Sequence, residues 1–468
     1  LLLFSTTANS KNTLPDIGTV AASALTIEKE KEYGWAFRLM ANQGLPVIHD
    51  PVLNYYINEL GENLVANADS VKLPFHLFLI EDQEINAAAF LGGNIKVHSG
   101  LFLYAKSESE LASVLAHEIA HITQRHLARM LEQQSFSNPA TLAALAGSIL
   151  LSLASPAAGV AALSTSMALN LQSKINYTRA HEHEADRIGI STLAKAGYDP
   201  YGMADFFSKL AEKYQYASSQ PEILSTHPLT ETRLAEARLR ASQLPVKHIK
   251  NSLDYQLSRA RITVRYNKIS ADAAINTFQS QLKNNNYQVK DAALYGLALA
   301  YFKKKDYLKA HEIILQLIQK QPDNLFFIDL LTDTSLALNK ADDIISLLQQ
   351  HYKKSPENTV YTLNLIHALQ VNKQYQQAEK IVELFIRTHP NHILAHQLAI
   401  DLYKTIGDKA KEHATRAQYL ALQGNFRKAS LEMGSALIYT DNKLDQARYS
   451  ARIEIYKKDD LRLQALQK

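Results

Sequence analysis

The sequence predicts a mainly α-helical chain in two parts: a helix-rich N-terminal unit holding a small β-sheet, then an α-solenoid. Three observations carry this reading. Apolar residues recur at helical spacing over most of the chain. PFHLFLIEDQ (74–83) and NIKVHSG (94–100) alternate apolar and polar residues between turn formers, as short strands do. Beyond residue 250 every segment reads as helix, and Pro322, Pro356 and Pro390 fall 34 residues apart. At 468 residues the chain is too long for one ordinary core, so two or three domains are expected.

Taken in order, LLLFSTTANS (1–10) reads as the end of a secretory apolar region and its cleavage zone, with a cut after Ala8 or Ser10. That start implies export, to a bacterial periplasm or another exported location. Residues 11–250 form the first unit and 251–468 the second. Within the first, no charged residue occurs from Gln133 to Ser173. Ser155, Pro156 and Gly159 interrupt this run, leaving apolar stretches short of the roughly 20 residues a span needs. It reads as a helical hairpin, either a lid over a cleft or a segment resting on a membrane surface, with full insertion as the alternative. In the second unit, Tyr307 and Ala310 recur as Tyr375 and Ala378, two periods on. A 34-residue pair of helices with a closing proline resembles the tetratricopeptide repeat, most clearly over 289–390 and less so over 255–288 and after 391. Such units bury their apolar faces only by stacking, which leaves a concave binding surface.

Composition excludes several functions. The net charge of +4 is too mild for a nucleic-acid partner, and no Gly-rich phosphate loop is present. With no cysteine, disulfides, thiolate catalysis and Cys-based metal sites are excluded.

The chemistry concentrates in VLAHEIAHITQRH (114–126). His117 and His121 lie one helical turn apart, about 40° around the axis, so both imidazoles face one metal ion. Glu118 flanks that face and is placed to act on a water rather than on the metal. His126, nine positions from His117, falls on the opposite side of an unbroken helix and reads as a surface histidine. AHEHEADRIG (180–189) supplies the rest. Glu182 and Asp186 are again four apart; Glu182 is expected as third ligand and Asp186 as the carboxylate that orients a liganding imidazole. Glu184 points away from both, and His181 and His183 read as solvent-facing. Two histidines and one carboxylate leave a position open, as in a catalytic Zn²⁺ site.

HEIAH, then EHEADR, then STHPLTETR (225–233), resembles the HtpX-type family of zinc metallopeptidases, over roughly residues 20–245. NAAAFLGGNIKVHSGLF (86–102) is similar to that family's substrate strand, with Ala88 where a bulkier aromatic is common. The resemblance implies a zincin-type domain and one Zn²⁺ per chain, with ligand type also admitting Mn²⁺ or Co²⁺. Glu118 is then the general base, with substrate laid as an added strand against Asn94, Ile95, Lys96 and Val97. Asn86 either holds the substrate loop or stabilises a turn. His227 stabilises an oxyanion, plugs the metal as a fourth ligand, or is a loop residue fixed by Pro228; Arg233 supports it. With the repeats and the secretory start, the resemblance further implies quality control of misfolded or stalled outer-membrane proteins. The repeats would recruit clients or the β-barrel assembly machinery, with a chaperone role alongside. A repeat-based adaptor with little proteolysis and an integral membrane peptidase are the competing classes.

Overall fold

The computed structural model describes residues 25–133, 179–214, 221–245 and 252–466. The expected signal remnant at 1–10 and the apolar run from residue 134 to 173 lie outside them. Among the described residues no helix is long and apolar enough to cross a membrane.

Two helices open the fold, α1 (Ile27–Gly44) and α2 (Pro51–Ala66). Asp50 starts α2 by accepting the Leu53 N–H at 3.2 Å, with proline at the first helical position, where no amide hydrogen is needed. A three-stranded sheet follows: β1 (His76–Ile80), β2 (Ala87–Phe90) and β3 (Asn94–His98). Between β2 and β3 the chain turns through Gly92 at φ +71°, so close to α1 that a Cβ there would sit 2.6 Å from the Gly34 Cα. Strand order is β1-β3-β2, with β3 parallel to β1 and antiparallel to β2. The expectation that Asn94–Val97 offers an edge to substrate is therefore corrected. β3 is the central strand, its backbone engaged on both sides; of the two outer strands, the end of β1 is bridged by residues 46–48, with the Ile48 N–H on the Leu79 carbonyl at 2.7 Å, and the outer side of β2 meets no strand among the described residues.

The short α3 (Ser99–Tyr104) leads into α4 (Glu108–Thr123), whose first turn is capped by the Ser107 hydroxyl and carries Glu108 and Glu110 against the helix dipole. Every residue of α4 after the first is buried. The chain then breaks: Arg125 adopts φ +53°, and α5 (His126–Gln133) starts anew. α6 (Arg179–Lys195) packs along α4, and Gly189 permits the approach, since a Cβ there would lie 3.1 Å from the His117 backbone nitrogen. Three more helices, α7 (Gly202–Tyr214), α8 (Glu222–Thr226) and α9 (Glu231–Ser242), close this part.

From Leu253 on, helices pair. α10 (Leu253–Arg265) and α11 (Ala271–Lys283) precede α12 (Lys290–Lys303) and α13 (Tyr307–Lys320). Next come α14 (Leu325–Ala337) and α15 (Ala341–Lys354), then α16 (Thr359–Val371) and α17 (Tyr375–Thr388). The array ends with α18 (Ile393–Ile406), α19 (Lys409–Leu422), α20 (Phe426–Ile438) and α21 (Lys443–Leu466). Lys305, Asn339, Lys373 and Gly407 all have positive φ and recur every 34 residues, closing the first helix of successive pairs. The helical repeat thus keeps its phase past residue 391.

This solenoid is packed against the first part at both ends. Near its start, the Tyr255 hydroxyl donates to the Ala105 carbonyl at 2.8 Å. The fully buried Arg261 joins Asp50 at 2.6 Å, Asp329 at 2.7 Å and the Tyr295 hydroxyl at 2.9 Å. At the far end, Phe37 and Met40 of α1 share a core with Met433, Tyr456 and Leu463. There Trp35 stacks on Phe426, and the Arg462 guanidinium lies over the indole at 4.4 Å.

Candidate metal centre

Four side chains from three elements converge. His117 and His121 come from α4, Glu182 from α6 and His227 from the residue that ends α8. All four are buried, and one ligand atom from each lies within 4.8 Å of the others. His117 Nε2 is 2.9 Å from His121 Nε2 and 3.3 Å from His227 Nδ1. Glu182 Oε1 is 3.0 Å from His227 Nδ1 and 3.4 Å from His121 Nε2. Tetrahedral ligands at bond lengths of about 2.0–2.1 Å stand about 3.3 Å apart, so the donor set fits a small divalent cation. Charge supports the fit. Burial opposes protonation of His117, yet Asp186 and Glu182 raise its pKa to about 10, so the pocket demands positive charge. Burial likewise opposes ionisation of Glu182, but His227, His117 and His121 hold its carboxyl well below the usual range.

Around this group stands a ring of supports. Asp186 Oδ1 lies 2.9 Å from His117 Nδ1. Arg233 grips Asp186 through Nε at 2.7 Å and a second guanidinium nitrogen at 2.8 Å. Its remaining nitrogen reaches Glu182 Oε2 and the Pro228 carbonyl, both at 2.8 Å. One buried cation therefore ties α6, α9 and the His227 loop together. Glu118 stands beside the four-residue group. Its Oε2 accepts the Ala89 N–H from strand β2 at 2.9 Å, and its Oε1 is 3.6 Å from His227 Nε2. Burial raises its pKa above the ordinary carboxylate value. An apolar pocket adjoins Glu118 and His227, walled by Val114, Met203, Phe206, Leu210 and Ile223.

A peptidase family M48 model matches residues 51–241. A putative β-barrel assembly-enhancing protease of Vibrio cholerae serotype O1 is 46% identical over 442 residues, covering 94% of this chain and 91% of that protein. The β-barrel assembly-enhancing protease of Escherichia coli K12 is 41% identical over 448 residues, covering 96% and 92%. The chain belongs to this family of M48 metallopeptidases. A more distant relative, the metalloprotease LoiP of Escherichia coli, is 28% identical over 193 residues, 41% of this chain and 69% of that protein.

In this metallopeptidase, the residues singled out in the sequence separate into two groups. His117, Glu118, His121, Glu182, Asp186, His227 and Arg233 come together at one centre. Asn94, Ile95, Lys96 and Val97 do not contribute to it. The Asn94 amide donates to the Leu91 and Gly34 carbonyls at 2.7 and 3.2 Å, while Ile95 and Val97 are core residues. The Asn86 side chain is buried, and neither of its amide atoms has a hydrogen-bond partner among the described residues.

Two expectations are corrected. His126 is not a surface residue: it is fully buried, with Nδ1 2.9 Å from His121 Nδ1 and Nε2 2.9 Å from Glu184 Oε2. His181 is not solvent-facing either; it is buried, with its ring stacked on His126 at 4.5 Å and 14°. Extending the helical wheel through Gln124 and Arg125 failed because the helix stops there. The polar run Thr123-Gln124-Arg125 after an apolar helix is the only local hint of that break. His183, 3.1 Å from Glu236, is partly exposed. Burial pushes the His126 imidazole down to about 4, so it is neutral at ordinary pH.

Proposed function

We propose that this chain is a zinc-dependent endopeptidase of the bacterial periplasm that hydrolyses misfolded or stalled outer-membrane proteins. Its peptidase unit (11–250) and repeat unit (251–468) act together, the repeats binding clients or the β-barrel assembly machinery and lending a chaperone role. The names of its close relatives support the outer-membrane reading. His117, His121 and Glu182 are the metal ligands, and His227 is a fourth, resident in the resting enzyme. Nitrogen and carboxylate donors in a tetrahedral array suit Zn²⁺.

Zn²⁺ held by His117, His121 and Glu182 would supply Lewis acidity to the scissile carbonyl and the attacking water. Glu118 accepts a proton from the attacking water and returns it to the leaving amine. Asp186 and Arg233 keep His117 and Glu182 in place, so little reorganisation accompanies the reaction. A client segment pairs with the outer edge of β2, where the Ala89 N–H, now held by Glu118, offers a donor. Pairing through backbone suits unfolded β-barrel segments of varied sequence. The apolar wall of the adjoining pocket favours an apolar side chain next to the scissile bond.

The observation that carries the resting-state reading is the position of His227 Nδ1, within 3.3 Å of both His117 Nε2 and Glu182 Oε1. A histidine so placed occupies the fourth position and keeps the enzyme latent until the loop swings away. The test compares cleavage of an unfolded outer-membrane β-barrel protein by wild type and His227→Ala, with Glu118→Gln as blank. Faster cleavage by His227→Ala is the expected result. Slower cleavage would assign His227 to the transition state and end the latency reading.

A further inference from the structure

His121 carries a support that mirrors the Asp186 contact on His117, and the chain builds it from residues beyond the end of α4. Its geometry dictates proton positions. His121 Nε2 is the atom that joins the ligand group, 2.9 Å from His117 Nε2 and 3.4 Å from Glu182 Oε1. A ligating imidazole nitrogen carries no proton, so the single proton of neutral His121 sits on Nδ1. That Nδ1 is 2.9 Å from His126 Nδ1, which must then accept. The proton of His126 is consequently on Nε2, 2.9 Å from the Glu184 carboxylate, which Arg129 also meets at 2.9 Å. Every proton in the chain Glu184–His126–His121 has one consistent place.

We propose that His126 is a positioning residue for the metal: by accepting the Nδ1–H of His121 and donating to Glu184, it fixes the tautomer and ring angle that aim His121 Nε2 at the ion. The proposal rests on the metallopeptidase reading above. His126 reaches this place only because the helix breaks. Arg125 turns the chain at φ +53° and is pinned there by Glu30 of α1, whose Oε1 accepts from the Arg125 Nε at 2.7 Å, and by the Leu25 carbonyl. His181 stacks on its face at 4.5 Å and fixes the plane of the His126 ring. The two liganding histidines are thus held by different means: His117 by a carboxylate directly, His121 by a carboxylate acting through a second imidazole.

The test measures Zn²⁺ affinity of the full chain by competition with a chromophoric chelator, and the visible spectrum of the Co²⁺-substituted protein. His126→Leu should weaken Zn²⁺ binding by about 10–100-fold and shift the Co²⁺ bands. His126→Asn, whose Oδ1 stands close to the lost Nδ1, should recover most of the affinity. Glu184→Gln should weaken binding less than His126→Leu. Urea unfolding of the metal-free proteins runs alongside. Zn²⁺ affinity of His126→Leu within about twofold of wild type, with unchanged Co²⁺ bands, overturns the proposal. So does an Asn variant as weak as the Leu variant when both are destabilised without metal, because the role would then be packing. If Glu182→Gln leaves Zn²⁺ binding at wild-type strength, the metallopeptidase reading of the site itself fails.

Discussion

Arg261→Met removes the cation that joins the two halves of the molecule, and its cost follows from what is left behind. Arg261 is fully buried between Asp50, which caps α2, and Asp329 of α14. Asp50 keeps three partners: the Leu53 N–H, the Tyr266 hydroxyl at 3.0 Å and Arg265 at 3.8 Å. Among the described residues Asp329 keeps only the Asn364 amide, at 3.2 Å, as a hydrogen-bond donor. Stranding a buried carboxylate in this way costs about 3–5 kcal/mol, concentrated on Asp329. With a urea slope of about 3 kcal/mol per molar, the unfolding midpoint should fall by about 1–1.7 M.

Replacing all three charges, as Asp50→Asn, Arg261→Met and Asp329→Asn together, should recover most of that loss, because no buried ion is then unpaired. Asparagine also keeps the cap on α2. The assay follows Trp35 fluorescence beside far-UV circular dichroism. Trp35 is the sole tryptophan and sits on Phe426 and Arg462, so it reports the far contact between the two parts. A midpoint shift below about 0.3 M for Arg261→Met, or a triple variant no more stable than the single one, would refute this reasoning.

Two further outcomes are expected. Because burial raises the Glu118 pKa and only its ionised form accepts a proton, activity should be present at higher pH and lost as pH falls through that raised value. The acid limb of kcat/KM, measured on His227→Ala with excess metal, should lie above the ordinary 4.5; a limb at or below it contradicts the assignment. Gly92→Ala places a Cβ 2.6 Å from Gly34 in a left-handed turn, so thermal unfolding should show at least about 1–3 kcal/mol of destabilisation. An unchanged melt would mean that α1 and the β2–β3 turn are not in fixed contact.

The placements that spacing anticipated share a cause. His117, Glu118 and His121 were legible as a cluster because α4 is unbroken from Glu108 to Thr123, and over such a stretch spacing converts directly into direction. Glu182 and Asp186 followed by the same rule on α6. The 34-residue ruler was legible because stacking repeats demand it, and the positive-φ series ending at Gly407 extends it further than the prolines do. The failures also share one. A helical wheel has no meaning across Arg125, where one backbone angle resets the phase and carries His126 from the expected surface into the core. Strand alternation near residue 95 marks which side chains are inward, but not which strand lies beside which. β3 therefore read as an edge when it is the centre of the sheet.

By itself, the sequence determined the helix-dominated class, the repeat and the residue types that gather at the candidate metal centre, because each is written in local spacing along continuous elements. Only the tertiary structure decided that β2 rather than β3 is an outer strand, that His126 and Glu184 stand behind His121, that Arg233 binds Asp186, Glu182 and the His227 loop at once, and that Arg261 joins the solenoid to α2. The Arg233–Asp186, His126–Glu184 and Arg261–Asp50 contacts link residues 47, 58 and 211 positions apart. They exist through chain breaks and packing between elements, which no periodic pattern encodes.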